Sequence, residues 1–183
     1  PVPFGAHNPG QHELPFCIHT RYSTQQAILE DIVASLYAQG MRKLIILSGH
    51  GGNNFKGMIR DLAFVYPDFL IIAADWFSIV PPKDYFEAVV DDHAGESETS
   101  VMMHYHPELV NLAEAGDGES RPFAIPSLNE KVGWAPRHWD KATVDSGVGN
   151  PKKASAEKGK RYMKPVVEKL AKLFTEVGLG SLY

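Results

Sequence analysis

Apolar positions along this chain follow two rhythms in alternation. Between Thr24 and Gln39, Ile28, Leu29, Ile32, Val33 and Leu36 fall at helical spacing, with Ser23 or Thr24 placed as an N-cap and Gly40 as the stop. Lys43 to Leu47 then carries an unbroken Leu-Ile-Ile-Leu run, the pattern of a buried strand, which closes on Ser48-Gly49-His50-Gly51-Gly52-Asn53. A second helix is expected from about Asn54 to Val65, ending ahead of Pro67, and a second strand from Phe69 to Ala74. Further on, Ser97 or Thr99 opens a helix through Val101, Met102 and Tyr105 that Pro107 ends. The last stretch, from about Pro151 to Val177, presents Met163, Val166, Val167, Leu170, Leu173, Phe174 and Val177 as one stripe, with Pro165 placed to bend it.

Helix, strand, helix, strand with short connections is the pattern of an α/β domain with a mainly parallel sheet. Two segments stand outside it. Pro1 to Arg21 reads as a long structured loop holding His7, His12 and His19, and loops of that length usually have a function. Gly116 to Gly149 shows little periodicity but includes Trp134 and Trp139, which suits a packed lid or a subunit contact better than a linker. At 183 residues and 44% apolar content, one core is sufficient, so a single domain over 1–183 is expected. The chain opens at Pro1 without a methionine, and an N-terminal part is expected to precede it.

Charge narrows the partners. The formal net charge is −4, and the basic residues are dispersed, which speaks against nucleic acid. The cluster Lys152, Lys153, Lys158, Lys160, Arg161 and Lys164 is interrupted by Glu157 and Glu168 and reads as a solvated helix face. No apolar run is long enough to span a membrane. The single Cys17, between Phe16 and Ile18, has no internal disulfide partner and reads as an inert buried thiol; a reducing cytoplasmic setting is the expectation.

The chemistry concentrates in two stretches. Glycines on both sides of His50, at a strand's carboxyl end, suit a backbone that turns sharply or approaches a ligand closely. An imidazole there can hold a divalent transition metal, and the carboxylate of Glu96 is an oxygen ligand that suits zinc, manganese or iron alike. His93, three residues before Glu96, is placed as a further ligand or as the group that moves a proton. Each residue alone has an ordinary explanation: a surface histidine in a tight turn, or an acid at a helix start. A catalytic zinc takes about three protein ligands, so at least one more is required. A phosphate cradle fits poorly, since the P-loop lysine and the dinucleotide spacing are both absent.

Gly49-His50-Gly51-Gly52-Asn53 after a strand, followed by His93-Ala94-Gly95-Glu96 and Glu98-Thr99-Ser100, resembles the creatininase (creatinine amidohydrolase) family. Pro3-Phe4-Gly5 and Ser146-Gly147-Val148-Gly149-Asn150-Pro151, then Ala154 to Gly159, extend the likeness over most of the chain. The resemblance implies a three-layer αβα fold with a mainly parallel sheet and a metal-dependent hydrolase of amide-type C–N bonds in a small molecule. It also implies a two-metal site and a homo-oligomer, often a hexamer. By motif position His50 matches a metal ligand, Glu96 a carboxylate ligand of the second metal, and His93 a histidine that contacts substrate and shuttles a proton. Gly51, Gly52 and Asn53 fall where substrate is held, the glycine N–H groups acting as oxyanion donors.

The departures matter equally. The family's Glu-x-His and following Asp are absent from this sequence, and Leu14-Pro15-Phe16-Cys17 stands where Phe-Pro-Gly-Thr is common. The expectation is therefore an active complete protein whose present segment binds metal poorly. The competing expectation is a non-catalytic ligand-binding or scaffold protein of the same fold.

Overall fold

The structure is a computed structural model that describes residues 5–181 and 183. In chain order its main elements are β1 (Gly5–Ala6), β2 (His19–Thr20), α1 (Tyr22–Ala38), β3 (Lys43–Ser48), α2 (Lys56–Val65) and β4 (Leu70–Asp75). They continue with β5 (Asp91–His93), α3 (Glu96–Tyr105), α4 (Pro126–Asn129), α5 (Trp139–Ala142), β6 (Val148–Gly149) and α6 (Ala156–Leu179). The chain packs as two compact units that interleave in sequence: Pro1–His7, Ile18–Ile79 and Val166–Tyr183 form one, Asn8–Cys17 and Val80–Pro165 the other.

In the first unit β3 and β4 pair in parallel, residue by residue from Lys43 opposite Leu70 to Ser48 opposite Asp75. α2, between β3 and β4 in sequence, supplies the crossover that parallel pairing demands. Leu29 and Val33 of α1, Met58 and Leu62 of α2, and Phe69 and Ile71 make the buried cluster, with Leu36 packed against it; of the helical stripe read from sequence Leu29, Val33 and Leu36 pack, while Ile32 is exposed. β1 and β2 form a second, two-residue parallel ladder. Lys43 extends its ammonium to the carbonyls of Val177, Gly178 and Gly180 at 2.7, 3.4 and 2.6 Å, satisfying acceptors that the end of α6 leaves open.

Two local expectations are corrected. α1 begins at Tyr22, and Arg21 occupies the N-cap with no side-chain hydrogen bond, so neither Ser23 nor Thr24 caps it. The strand β3 is half-buried: among the described residues its ladder has one partner strand, and Leu47 is 51% exposed.

The second unit is held by Tyr162, whose ring meets Tyr85 and Phe86 edge-on with centroids 5.4 and 5.1 Å away. Its hydroxyl donates to the Val80 carbonyl at 3.2 Å, giving a buried polar tip the partner it needs. Burial, with the charge of Asp91 and then Tyr85 nearby, pushes the Tyr162 hydroxyl above the usual phenol range. β5 pairs antiparallel with β6, with an irregularity between Asp91 and His93. α3 opens at Glu96, one residue before the earlier of the two expected starts, because Asp91 takes the role of cap: both its carboxylate oxygens accept from the Ser97 N–H, at 3.3 and 3.0 Å. A Cβ on Gly95 would lie 2.1 Å from the Asp91 carboxylate, so a larger residue there displaces this cap.

Packing of this kind sets a clear contrast between sites. Met58→Ala, at a fully buried position, is expected to lower the unfolding free energy by about 3 kcal/mol in urea denaturation. Phe64→Ala, at a position 90% exposed, is expected to change it by under about 0.5 kcal/mol.

Candidate functional site

The glycine loop leaves β3 where the β4 chain also leaves the sheet, because Ser48 and Asp75 are paired at the carboxyl ends of two parallel strands. That is where open α/β sheets build sites. The loop is fixed by its own polar groups. The Ser48 hydroxyl donates to the His50 carbonyl at 3.2 Å, the Asn53 N–H donates to the same oxygen at 3.2 Å, and the Trp76 indole N–H donates to the Gly49 carbonyl at 3.2 Å. The Gly52 N–H donates to Nδ1 of His50 at 2.9 Å. An Nδ1 that accepts leaves the proton of a neutral ring on Nε2. Asp75 and Trp76, beside this loop in the same unit, were within reach of the sequence reading because they end the second strand.

In the second unit His93 ends β5, and Ala94 follows with φ of 50°, a left-handed conformation that turns the chain into α3. Glu98, two residues into the helix beyond Glu96, reaches back: its Oε2 accepts from the Ala94 N–H at 2.7 Å and lies 4.0 Å from Nδ1 of His93. Thr99 donates its hydroxyl to the Ala94 carbonyl at 3.2 Å, so both polar groups of that strained peptide are held. The indole of Trp139 meets the His93 ring edge-on with centroids 5.0 Å apart. Arg137 stacks over the same indole at 4.8 Å and donates to Asp92 at 2.6 Å. Trp139 also lines a cavity of about 440 Å³ in this unit, together with His12, Glu13, Asp140 and Asp145. The sequence marks Glu98 through the Glu98-Thr99-Ser100 motif, whereas Arg137 carries no signal there beyond being a cation inside the aperiodic segment. Trp134, which the sequence suits to a packed lid or a subunit contact, is 86% exposed.

Glu96 is placed quite differently from Glu98. It is 0% exposed; Oε1 accepts from the Lys158 ammonium at 2.5 Å, and Oε2 accepts from the N–H groups of Glu87 and Ala88 at 2.9 and 2.8 Å. Lys158 also reaches Glu87 Oε1 and the Lys153 carbonyl, both at 3.0 Å, and Lys153 pairs with Glu87 Oε2 at 2.8 Å. The two lysines, Lys153 foremost, hold the Glu87 carboxyl down to about 2. Hydrogen bonds donated to Glu96 and then to Glu87 hold the Lys158 ammonium above the ordinary lysine range. Asp91 is pushed up by burial, against the Ser97 hydrogen bonds that favour its charge.

These donor sets bear on metal binding. A zinc–carboxylate bond is about 2.0–2.2 Å long and needs an oxygen facing open space. Glu96 is enclosed with an ammonium on one oxygen and two N–H groups on the other, so as placed it does not fit a metal. His50 fits through Nε2 once its proton moves to Nδ1 and the Gly52 N–H is released. The first unit also brings His7 and His19 together, with ring centroids 5.4 Å apart.

Comparison with known proteins follows the same lines. The family model described as creatinine amidohydrolase matches residues 1–174. A crystal structure from Bacteroides fragilis NCTC 9343, of a protein provisionally described as a creatinine amidohydrolase, superposes with a TM-score of 0.97 at 83% identity, covering 100% of this chain and 72% of that one. A creatininase variant in its Zn-Zn form superposes at 0.69 with 20% identity, covering 94% and 71%, a likeness of fold. Among curated proteins, the mycofactocin precursor peptide peptidase of Mycobacterium ulcerans (strain Agy99) is 32% identical over 131 residues, 69% of this chain and 45% of that protein.

The Glu87 pairs give the site's surroundings an acid limb. A carboxyl whose folded value lies near 2, below its ordinary value of 4.5, contributes stability that is present above 4.5 and is lost as pH falls toward 2. Glu87→Gln is expected to flatten the decline in melting temperature between those pH values while leaving the difference from the parent largest at neutral pH.

Proposed function

The chain belongs to the creatininase (creatinine amidohydrolase) family, and from that premise we propose that this protein hydrolyses an amide-type C–N bond in a small cyclic amide, a formamide or a peptide-like substrate. The α/β fold with parallel strand pairs is the family's own. Members of the family are metal-dependent hydrolases, and the relatives act on creatinine in some cases and on a precursor peptide in others, so both substrate kinds belong to the proposal. The observation that carries it is the His93–Glu98 pair, an imidazole backed by a carboxylate on a strained turn with Trp139 against its ring.

In this reading His93 receives a proton and returns it to the leaving nitrogen. Glu98 stands beside the ring, its carboxylate 4.0 Å from Nδ1. Trp139 shields one side of the imidazole from water. The glycine loop offers donors of the kind that hold a carbonyl oxygen, with Gly51 supplying an N–H and Asn53 and Gly52 shaping the turn. A divalent ion, zinc first and manganese or iron otherwise, supplies an activated water when bound, and His50 is this chain's imidazole for it. The reading includes a homo-oligomer, up to a hexamer, in a cytoplasmic setting and without nucleic acid. The oligomer is supported by exposed Ile125, Val132 and Trp134; no described helix is long and apolar enough to cross a membrane.

The enclosed Glu96 favours a second reading, a ligand-binding protein of the same fold without catalysis. Assays of the full-length protein, replete with zinc or manganese, on creatinine, an N-formyl amine and a short peptide separate the two. Turnover of one substrate is expected, with His93→Ala lowering kcat about 100-fold or more at unchanged metal content. His50→Ala is expected to lower metal content and turnover together; if it changes neither, His50 is not a ligand. Binding of these compounds without hydrolysis establishes the second reading.

A further inference from the structure

Among the described residues, Glu96 is a fully buried carboxylate that takes no part in the proton transfer described above. It opens α3, three residues after His93, and everything around it belongs to the same unit. Its oxygens tie together three separate parts of the chain: the start of α3, the turn at Glu87–Ala88, and the first turns of α6 through Lys158. α6 is attached to α3 at two further points. The Ser155 N–H donates to the Ser100 hydroxyl at 3.1 Å, and Gly159 lies so close to α3 that a Cβ on it would stand 2.0 Å from the Ser100 carbonyl. On the other side, Asp91 caps the same helix start while pairing in β5. His93, Ala94 and Gly95 therefore span a short gap between two fixed points, and a chain so short cannot absorb a shift at either end.

We propose that Glu96 and Lys158 form an internal strut that fixes the start of α3, and with it the His93–Glu98 pair, so that Glu96 is a positioning residue and not a metal ligand. The physical basis is asymmetric. Removing the ammonium, which is itself partly exposed, leaves the buried carboxylate short of a partner and is severe, whereas removing both charges is far milder. A metal ligand has no such dependence on Lys158. The assignment of His93 to proton transfer rests on the function proposed above; the strut does not.

The experiment uses the full-length protein with Lys158→Met, Lys158→Arg, Glu96→Gln and the double variant Glu96→Gln/Lys158→Met. Lys158→Met is expected to lower the melting temperature by about 10 °C, and adding Glu96→Gln to recover at least about half of that loss. Glu96→Gln alone is expected to bind zinc, added as the metal alone and followed by calorimetry, within about twofold of the parent affinity. Well below the melting temperature, the Ala94 amide and His93 ring resonances are expected to shift in Lys158→Met and return in Lys158→Arg. Where turnover is measurable, Lys158→Met lowers kcat about tenfold with KM within twofold, and Lys158→Arg restores it. Loss of zinc binding in a folded Glu96→Gln, or additive melting effects in the double variant, overturns the proposal. So do resonances at His93 and Ala94 that stay in place in a folded Lys158→Met. A protein with no turnover but with shifted and rescued resonances keeps the strut and refutes the hydrolase reading instead.

Discussion

A carboxylate taken wholly out of water has to recover the hydration it gives up, and in the second unit that requirement organises the structure. Glu96 meets it with two backbone N–H groups and an ammonium, contacts that come from segments far apart in sequence. None of them can relax alone without leaving a buried charge short of a partner. The pair is weak as a source of net stability, since an apolar replacement of similar volume often does as well. Its value lies in specificity. One arrangement of α3, α6 and the Glu87–Ala88 turn satisfies every group, and displaced arrangements do not.

The position of His93 follows from that arrangement. Its ring is flanked by Glu98, which the helix start presents, and by Trp139, which Arg137 and Asp92 hold in turn. Ala94 carries the strain of the turn, and Glu98 and Thr99 hold its N–H and carbonyl. Two glutamates two residues apart thus face opposite duties. Glu96 is neutralised inside the protein, and Glu98, partly exposed, stays within reach of an imidazole.

The glycine loop of the first unit obeys a simpler constraint. Parallel pairing with Ser48 opposite Asp75 delivers both strands' following residues to one end of the sheet, and the glycines let the chain fold back on His50 without a Cβ in the way. The same turn that makes His50 prominent also occupies its Nδ1 with the Gly52 N–H. Ligation through Nε2 is consequently linked to a change within the loop itself.

Much of this was legible from the order of residues, for reasons of periodicity. The stripe from Ile28 to Leu36, the Leu44–Leu47 run and the Met163–Val177 stripe each define an element by local spacing, and parallel pairing follows from helices lying between strands. The motif at Gly49–Asn53 and the one at His93–Ser100 were likewise readable, and they place the chain in its family. Sequence assigned the ligand duty to Glu96 by motif position, and it could not show what surrounds that carboxylate in the fold. Glu96 and Glu98 carry the same group on the same helix turn, and their spacing to His93 differs by two residues. Only the folded chain brings Lys158 to one of them across 62 positions and leaves the other beside the imidazole. The difference is one of burial and long-range charge, and neither is encoded in local sequence. The elements and the family were set by patterns a few residues long, and the duty of each acid was decided by what tertiary packing placed against it.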